Sequence, residues 1–353
     1  MAEGRYVAYV GTYTNGSSVG IHLFDVDPET WKMTERKVVP INNPSDIILS
    51  KSRKYLYSIS DQGVQSFRIL PDGDLEKMNE AWIGGLRGCY LDIDDKDRFL
   101  FVAGYHDGRV TMMRLNSDGT VGDIACGIFH KGQGDNITER SARPHVTCVK
   151  VSTDQKVLCA VDSSLDQVKN YKIDYKRGRI KLESILRCPL DSSPRSIRFD
   201  ASGRFVYLIC EKNNMVYVYN ASDFSNAVEI FEPIQEVPTI EHDKYHRAAA
   251  AALEISPDGK RLFVTNAGIN TVVVFDIDQE TGMLTKSCYL LTSGNYPKNI
   301  GIMPDSEHFM VLSHETDEIF TYQMHYEDGY FLQSAKPIDI EQPNCIYLHK
   351  LDD

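Results

Sequence analysis

Ionisable side chains occupy equivalent places in a phrase that this chain repeats. Arg195 in SPRSIRF and Lys298 in YPKNIGI follow the proline that opens a copy, whereas Glu211 and His314 stand just after the next apolar run. A carboxylate or an imidazole can take up a proton, and a guanidinium can stabilise negative charge that develops during a reaction. Residues of these types point to acid–base chemistry, provided that the fold brings them together.

The elements that must position these side chains are short strands recurring at intervals of roughly 50 residues. The clearest copies read NPSDIILSKSRKYLYSIS, SPRSIRFDASGRFVYLIC and YPKNIGIMPDSEHFMVLS. In each copy an apolar strand ends at a polar turn and a β-branched, aromatic strand follows, which is the pattern of a hairpin. A third strand comes next, and more polar fourth strands begin near Glu29, Asp72, Asp118, Arg177, Ser225, Thr281 and Asp328.

Seven such units predict an all-β fold, a seven-bladed β-propeller of four-stranded antiparallel blades that forms a single domain over residues 1–353. The segment QPNCIYLHK near the C-terminus supplies only one strand, and RYVAYVGTYT with VGIHLFDVD supplies the next two. We therefore expect the N- and C-terminal strands to pair and close the ring, which removes open sheet edges.

Charge and cysteine usage exclude several classes of protein. The chain has 38 basic and 50 acidic residues, a net charge of −12, and no basic run, which disfavours nucleic acid and anionic membranes as partners. It lacks an 18-residue apolar run and a secretory leader pattern, so we expect a cytoplasmic location. Eight cysteines without a C-x-x-C pair favour buried thiols over disulfides or zinc ligands. No metal or other cofactor is expected, and the oligomeric state stays open.

Two motif matches lack the context that their chemistry needs. Gly16-Ser17-Ser18-Val19-Gly20 fits the nucleophile-elbow pattern, but it joins two predicted strands and not a strand and a helix, so we interpret it as a hairpin loop. His242 and His246 have the spacing of a helical metal pair, yet they lack the adjacent glutamate and lie in a polar loop. We expect them to be surface residues.

Aligning the repeats gives two sets of equivalent positions that a propeller would gather at one mouth of its central channel. The first-strand set is Ser45, Cys89, Thr147 with His145 two residues earlier, Arg195, Ala251, Lys298 and Asn344. The second-strand set is Tyr13, Asp61, Tyr105, Asp162, Glu211, Asn266 and His314. Charged groups at places where a structural repeat would keep small or apolar residues indicate a ligand site. The alternative is a hydrated channel whose polar groups satisfy one another.

The chain resembles the lactonase-family seven-bladed propellers, the group that contains propeller-type 6-phosphogluconolactonases and carboxy-muconate cyclases. The matching phrases cover essentially the whole chain and include YVGTYTNGSSVGIHLFDVD at 9–27, HKGQGDNITERSARPH at 130–145 and CEKNNMVYVY at 210–219. The resemblance implies a metal-independent site in which His145, Arg195 and Glu211 are the catalytic residues.

Some positions depart from the family pattern. Thr147 stands where a second histidine is frequent, Ser196 follows the Pro-Arg pair where the family has histidine, Ala267 replaces an arginine, and Lys298 replaces another. The smaller positive charge brings a phosphorylated or doubly charged substrate into question. Arg247, in the polar loop from 238 to 247, could replace the charge absent at Ala267.

These residue types suit a hydrolase that opens a sugar-derived lactone, with Arg195 as electrostatic clamp and Glu211 or His145 as the acid–base group. The same groups could instead remove a proton beside a carboxylate, as in an intramolecular lyase or cycloisomerase acting on a carboxylate or carbohydrate. A non-catalytic binding scaffold is a third possibility. The expected substrate-binding residues are Tyr13, Tyr105, Asp162, Arg247, Asn266, Lys298 and His314.

Overall fold

A computed structural model of the chain describes residues 4–132, 143–241 and 247–351. Within these residues the backbone forms seven β-sheets. The first sheet contains β1 (Tyr6–Thr12), β2 (Gly20–Val26) and β3 (Met33–Pro40). The second contains β4 (Ile47–Leu49), β5 (Tyr55–Ile59), β6 (Gly63–Ile69) and β7 (Leu75–Trp82), and the third contains β8 (Tyr90–Ile93), β9 (Phe99–Gly104), β10 (Arg109–Leu115) and β11 (Val121–Phe129).

The remaining sheets repeat this arrangement along the chain. The fourth contains β12 (Val146–Val151), β13 (Val157–Asp162), β14 (Gln167–Asp174) and β15 (Arg179–Arg187). The fifth contains β16 (Pro194–Phe199), β17 (Phe205–Cys210), β18 (Met215–Asn220) and, after helix α1 (Ala221–Ser225), β19 (Gln235–Pro238). The sixth contains β20 (Ala249–Ile255), β21 (Arg261–Ala267), β22 (Thr271–Ile277) and β23 (Leu284–Leu291). The seventh contains β24 (Pro297–Ile302), β25 (His308–Ser313), β26 (Glu318–His325) and β27 (Tyr330–Gln333), and the short β28 (Ile338–Asp339) also pairs with β26.

The last strand, β29 (Pro343–Lys350), joins the first sheet and not the seventh. It pairs antiparallel with β1, from Tyr6 opposite Lys350 to Thr12 opposite Pro343, and the sheet order is β29-β1-β2-β3. The predicted pairing of the terminal strands is therefore confirmed. Seven antiparallel sheets, each built on four strands, define a seven-bladed β-propeller, as the repeats predict; the first is completed by the opposite end of the chain and the seventh is extended by β28.

The same kind of side-chain hydrogen bond closes the hairpin turn in several sheets. A serine or aspartate at the end of the first strand accepts the backbone N–H that opens the second strand, as Ser50 does from Tyr55 at 3.0 Å and Asp200 does from Phe205 at 2.8 Å. Ser and Asp side chains favour such local bonds to the backbone over strand pairing. The repeated polar turn in the sequence thus fixes where each hairpin reverses. The other members of this set are Asp94, Ser152 and Ser256.

Six of the fourth strands begin two to four residues after their predicted starts, because a turn capped by a polar side chain comes first. The fifth prediction was wrong. Ser225 is the last residue of helix α1, in which Phe224 is buried against Phe199 and Tyr219. The fourth strand of that sheet starts only at Gln235. In the described part of the chain no helix is long and apolar enough to cross a membrane.

The chain divides into two compact units, each with its own apolar packing. Unit 1 consists of residues 1–47, 69–75 and 238–353, and unit 2 of residues 48–68 and 76–237. In unit 1 Trp31 packs with Tyr6 and Met310, while Phe309 stacks on Tyr322. In unit 2 the fully buried Leu158 and Leu208 each belong to an apolar cluster of buried side chains. The prediction of a single domain stays a prediction.

Candidate functional site

A β-bulge recurs at the start of the first strand of several sheets. The pairing register shifts there, so that one extra residue stands in the first strand. A bulge changes the direction of a side chain and is frequent beside active sites. The bulges coincide with positions that the repeat alignment selected as ligand-facing. The bulged residues are Thr147, Arg195, Lys298 and Asn344, and the shift in the sixth sheet includes Ala251.

Arg195 and Glu211 meet directly in unit 2. Nη1 of Arg195 donates to Oε2 of Glu211 at 2.6 Å, and the two side chains are 25% and 30% exposed. The bulge at Arg195 and the position of Glu211 just after β17 place them together although 16 residues separate them. Partial exposure leaves the pair in reach of a dissolved molecule. Two of the three predicted catalytic residues are thus in contact.

Backbone bonds hold both partners of this ion pair. The Thr147 hydroxyl donates to the carbonyl of Arg195 at 2.8 Å, and the Glu211 N–H donates to the carbonyl of Ser193 at 2.8 Å. Ser193 is itself tied by its N–H to the buried carboxylate of Asp166 at 2.7 Å. The threonine in place of a second histidine therefore supports Arg195, a role that the sequence did not indicate.

His145 is half buried just before β12, stacked on Tyr105. The two ring centroids are 4.3 Å apart with an interplanar angle of 19°, and Nδ1 of His145 lies 2.9 Å from the Ser164 hydroxyl. Burial lowers the pKa of His145 below its usual 6.5, more than the nearby Asp162 raises it. The imidazole is therefore neutral at pH 7 and can accept a proton.

Asp162, predicted to bind substrate, is completely buried at the end of β13. Its carboxylate lies 2.6 Å from Nδ1 of His130 and accepts the backbone N–H groups of His145 at 3.1 Å and Leu165 at 3.2 Å. This position suits a carboxylate that orders the segment before β12. Direct contact between Asp162 and a substrate stays a prediction.

Three more of the predicted residues lie together in unit 1. The Lys298 ammonium lies 4.5 Å from the centre of the Tyr13 ring, a cation–π distance, and that ring meets His314 edge-on at 5.7 Å. Burial, assisted by the Lys298 charge, lowers the pKa of His314 to about 4. His314 is thus neutral at pH 7, and its buried Nδ1 has no hydrogen-bond partner among the described residues.

Of two further predicted substrate-binding residues, Asn266 is buried and Arg247 is exposed. Asn266 is fully buried, its amide bonded to both the hydroxyl and the carbonyl of Thr239 and to the Thr271 hydroxyl, so its contacts are those of a structural residue. Arg247 is exposed, and its carbonyl packs against Gly268, where an added Cβ would lie 2.0 Å away. Arg247 therefore lies next to Gly268, one residue after Ala267. His242 and His246 lie outside the described residues.

All eight cysteines are free, six of them buried. Across residues 4–132, 143–241 and 247–351, no group of three or more His, Cys, Asp or Glu side chains is arranged to hold a metal ion. The segment Gly16 to Gly20 reaches from the loop after β1 into the first residue of β2, as the hairpin interpretation requires. His130 and Ser164 were missed because they lie outside the aligned positions, although His130 opens the HKGQGDN phrase.

The seven antiparallel sheets, with the first sheet closed by the terminal strand β29, define a class of protein, the seven-bladed β-propellers. The sequence model of the family described as "Lactonase, 7-bladed beta-propeller" matches residues 7–348. The chain belongs to this family and is thereby a lactonase, an enzyme that opens cyclic esters.

Named relatives agree over nearly the full length. A 6-phosphogluconolactonase of Bacillus subtilis is 28% identical over 355 residues, covering 98% of this chain and 99% of the relative. One of Formosa agariphila is 25% identical, covering 91% and 93%. The structure of the periplasmic gluconolactonase of Pseudomonas aeruginosa superimposes with a TM-score of 0.90 at 24% identity, covering 99% and 100%, and shows the shared fold.

Proposed function

We propose that this chain hydrolyses a sugar-derived lactone without a metal ion, using Arg195, Glu211 and His145. The observation that carries the proposal is the partly exposed contact between Arg195 and Glu211. A fixed guanidinium beside a carboxylate supplies both a stabiliser of negative charge and a proton acceptor. The names of the relatives from Bacillus and Formosa support a sugar lactone as the substrate class.

The reaction consumes one water molecule and needs two proton transfers. The first removes a proton from the attacking water, and the second delivers a proton to the leaving ring oxygen. A base removes a proton from water as the water oxygen attacks the lactone carbonyl, and the Arg195 guanidinium stabilises the resulting oxyanion. The carbonyl re-forms, the bond to the ring oxygen breaks, and that oxygen receives the proton. The product is the open hydroxy acid, and no covalent enzyme intermediate is required.

His145 or Glu211 can act as the base. His145 is neutral near pH 7 because burial lowers its pKa, and when Nδ1 donates to Ser164 the other nitrogen presents a lone pair. Glu211 is already bonded to Arg195, so a substrate that recruits the guanidinium also frees the carboxylate. Lys298, Tyr13, His314 and Tyr105 are proposed to bind substrate hydroxyl or carboxylate groups.

We also propose a cytoplasmic location, which the eight free thiols support.

The test is turnover of glucono-δ-lactone, followed by pH-stat, for Arg195→Met and Glu211→Gln. We expect kcat/KM to fall by roughly 10²- to 10³-fold for Arg195→Met, as when an oxyanion donor is removed, and by at least about 10²-fold for Glu211→Gln. Arg177→Met is the matched control, because it breaks an exposed ion pair with Asp174 in the same unit.

Retention of full activity by both site variants would contradict the proposal. Reaction in ¹⁸O-labelled water separates the alternatives, since hydrolysis incorporates one labelled oxygen into the acid and an intramolecular lyase incorporates none. If sugar lactones and acids neither turn over nor raise the melting temperature, and a protein partner co-purifies, the binding scaffold is favoured.

A further inference from the structure

A buried histidine and a buried carboxylate lie behind His145. The side chains of His130 and Asp162 are both 0% exposed, and Nδ1 of His130 lies 2.6 Å from Oδ2 of Asp162. A charge removed from water is costly unless hydrogen bonds satisfy it. Asp162 meets this need with the imidazole and with two backbone N–H groups, those of His145 and Leu165.

The proton between His130 and Asp162 can be assigned. An ionised carboxylate only accepts hydrogen bonds, so Nδ1 of His130 must be the donor. Burial lowers the pKa of His130 more than Asp162 raises it, which keeps the ring neutral. The tautomer is therefore fixed, and His130 orients one carboxylate oxygen while the other oxygen binds the backbone of His145 and Leu165.

His145 is held at both its main chain and its ring by the segment that begins with Asp162. Its N–H donates to Asp162, its carbonyl accepts the Ser163 N–H at 3.0 Å, and its Nδ1 contacts the Ser164 hydroxyl. Three successive residues therefore determine where the imidazole lies. A shift of the Asp162 carboxylate would move all of these contacts together.

We propose that His130 is a positioning residue for His145 and acts through Asp162. The inference rests on the proposed function, since it requires that His145 exchange a proton with substrate or water. His130 contacts the Asp162 carboxylate and packs near the Tyr171 ring, so its effect on His145 passes through the carboxylate. Its loss should therefore change kcat and leave substrate affinity almost unaltered.

The experiment compares His130→Leu, His130→Asn and His130→Gln on glucono-δ-lactone. Leucine fills the volume without a donor, the asparagine amide matches the place of Nδ1, and the glutamine amide matches that of Nε2. We expect Leu and Gln to lower kcat by roughly 10- to 100-fold with KM within about twofold, as expected for a small misplacement of a reacting group. Asn should restore most of kcat.

The control is His349→Leu, which removes a histidine buried in unit 1, and all variants are compared at equal folded fraction by circular dichroism. The inference is overturned if His130→Leu and His130→Gln keep normal kcat, if Asn is as impaired as Leu, or if His349→Leu loses as much. The glutamine variant decides the matter if His130→Leu does not fold.

His145→Ala separates this inference from the proposed function. Normal turnover by His145→Ala would remove the acid–base role of His145 and the basis of the positioning role with it. An inactive His145→Ala protein beside a fully active His130→Leu protein would overturn the positioning role alone.

Discussion

In the proposed mechanism, the contact between Arg195 and Glu211 is the state that a substrate must open. The two opposite charges satisfy each other at 2.6 Å while both side chains keep some exposure to water. A partly exposed ion pair contributes little to stability, because hydration competes with the Coulomb attraction. The pair therefore costs little to open, and under the proposed mechanism a substrate carbonyl replaces Glu211 as the acceptor of the guanidinium.

His145 should set the acidic limit of activity, and Tyr105 should tune it. Because burial lowers the pKa of His145, the neutral base persists below pH 6.5, and kcat should fall only at lower pH. Tyr105→Ala removes the ring stacked on His145, exposes the imidazole to water and should move the acidic limb of the kcat profile towards pH 6.5.

Tyr105→Phe keeps the stacked ring and should leave that limb in place. The measurement is kcat of the wild type and both variants from pH 4 to 8. An identical acidic limb in all three proteins would mean that a group other than His145 titrates.

At the scale of elements, the first-strand positions that the repeat alignment selected coincide with β-bulges. A bulge places one residue outside the pairing of the strand, so the same position can carry Thr147, Arg195 or Lys298 without disturbing the hairpin behind it. The position of the bulged residue is therefore encoded locally, by the start of the strand. Local encoding is what a sequence pattern can detect.

The second-strand positions were harder to predict, for a physical reason. Asp162 ends its strand and Asn266 is the penultimate residue of its own, yet each is bonded to a residue from outside the repeat phrase, His130 in one case and Thr239 in the other. Alternation along a strand gives the face of a side chain, but not whether a distant loop covers it. The fold and the Arg195–Glu211 pair were predictable, whereas these burials were not.

Arg247, which lies just before β20, is predicted to contribute to substrate binding. Its main chain packs against Gly268 and its side chain is exposed, so it can supply positive charge where Ala267 has none. Arg247→Ala should raise KM roughly tenfold for sugar lactones that carry a negatively charged substituent, with kcat little changed. This is the effect of losing one hydrogen bond to a charged group. Initial rates against lactone concentration measure it.

Arg177→Ala, which removes an exposed arginine from unit 2, is the control for loss of one positive charge. An unchanged KM for Arg247→Ala would show that this arginine does not compensate for Ala267.

At the scale of the whole molecule, pairing between the two ends of the chain protects its first strand. All seven residues of β1 are buried, with β2 on one side and β29 on the other. An apolar strand that loses one neighbour exposes unpaired N–H and C=O groups and becomes a template for pairing between molecules. Stability of the first sheet thus depends on a strand more than 300 residues away in the sequence.

Deleting residues 343–353 should therefore prevent correct folding, whereas deleting only 352–353 should not. The longer deletion removes β29 and uncovers β1 along its full length. We expect aggregation by size-exclusion chromatography and loss of the cooperative thermal transition. A synthetic peptide of residues 342–351, added during refolding, should restore both by pairing with β1. A truncated protein that melts like the full chain, or one that the peptide cannot rescue, would show that pairing of the ends does not hold the first sheet together.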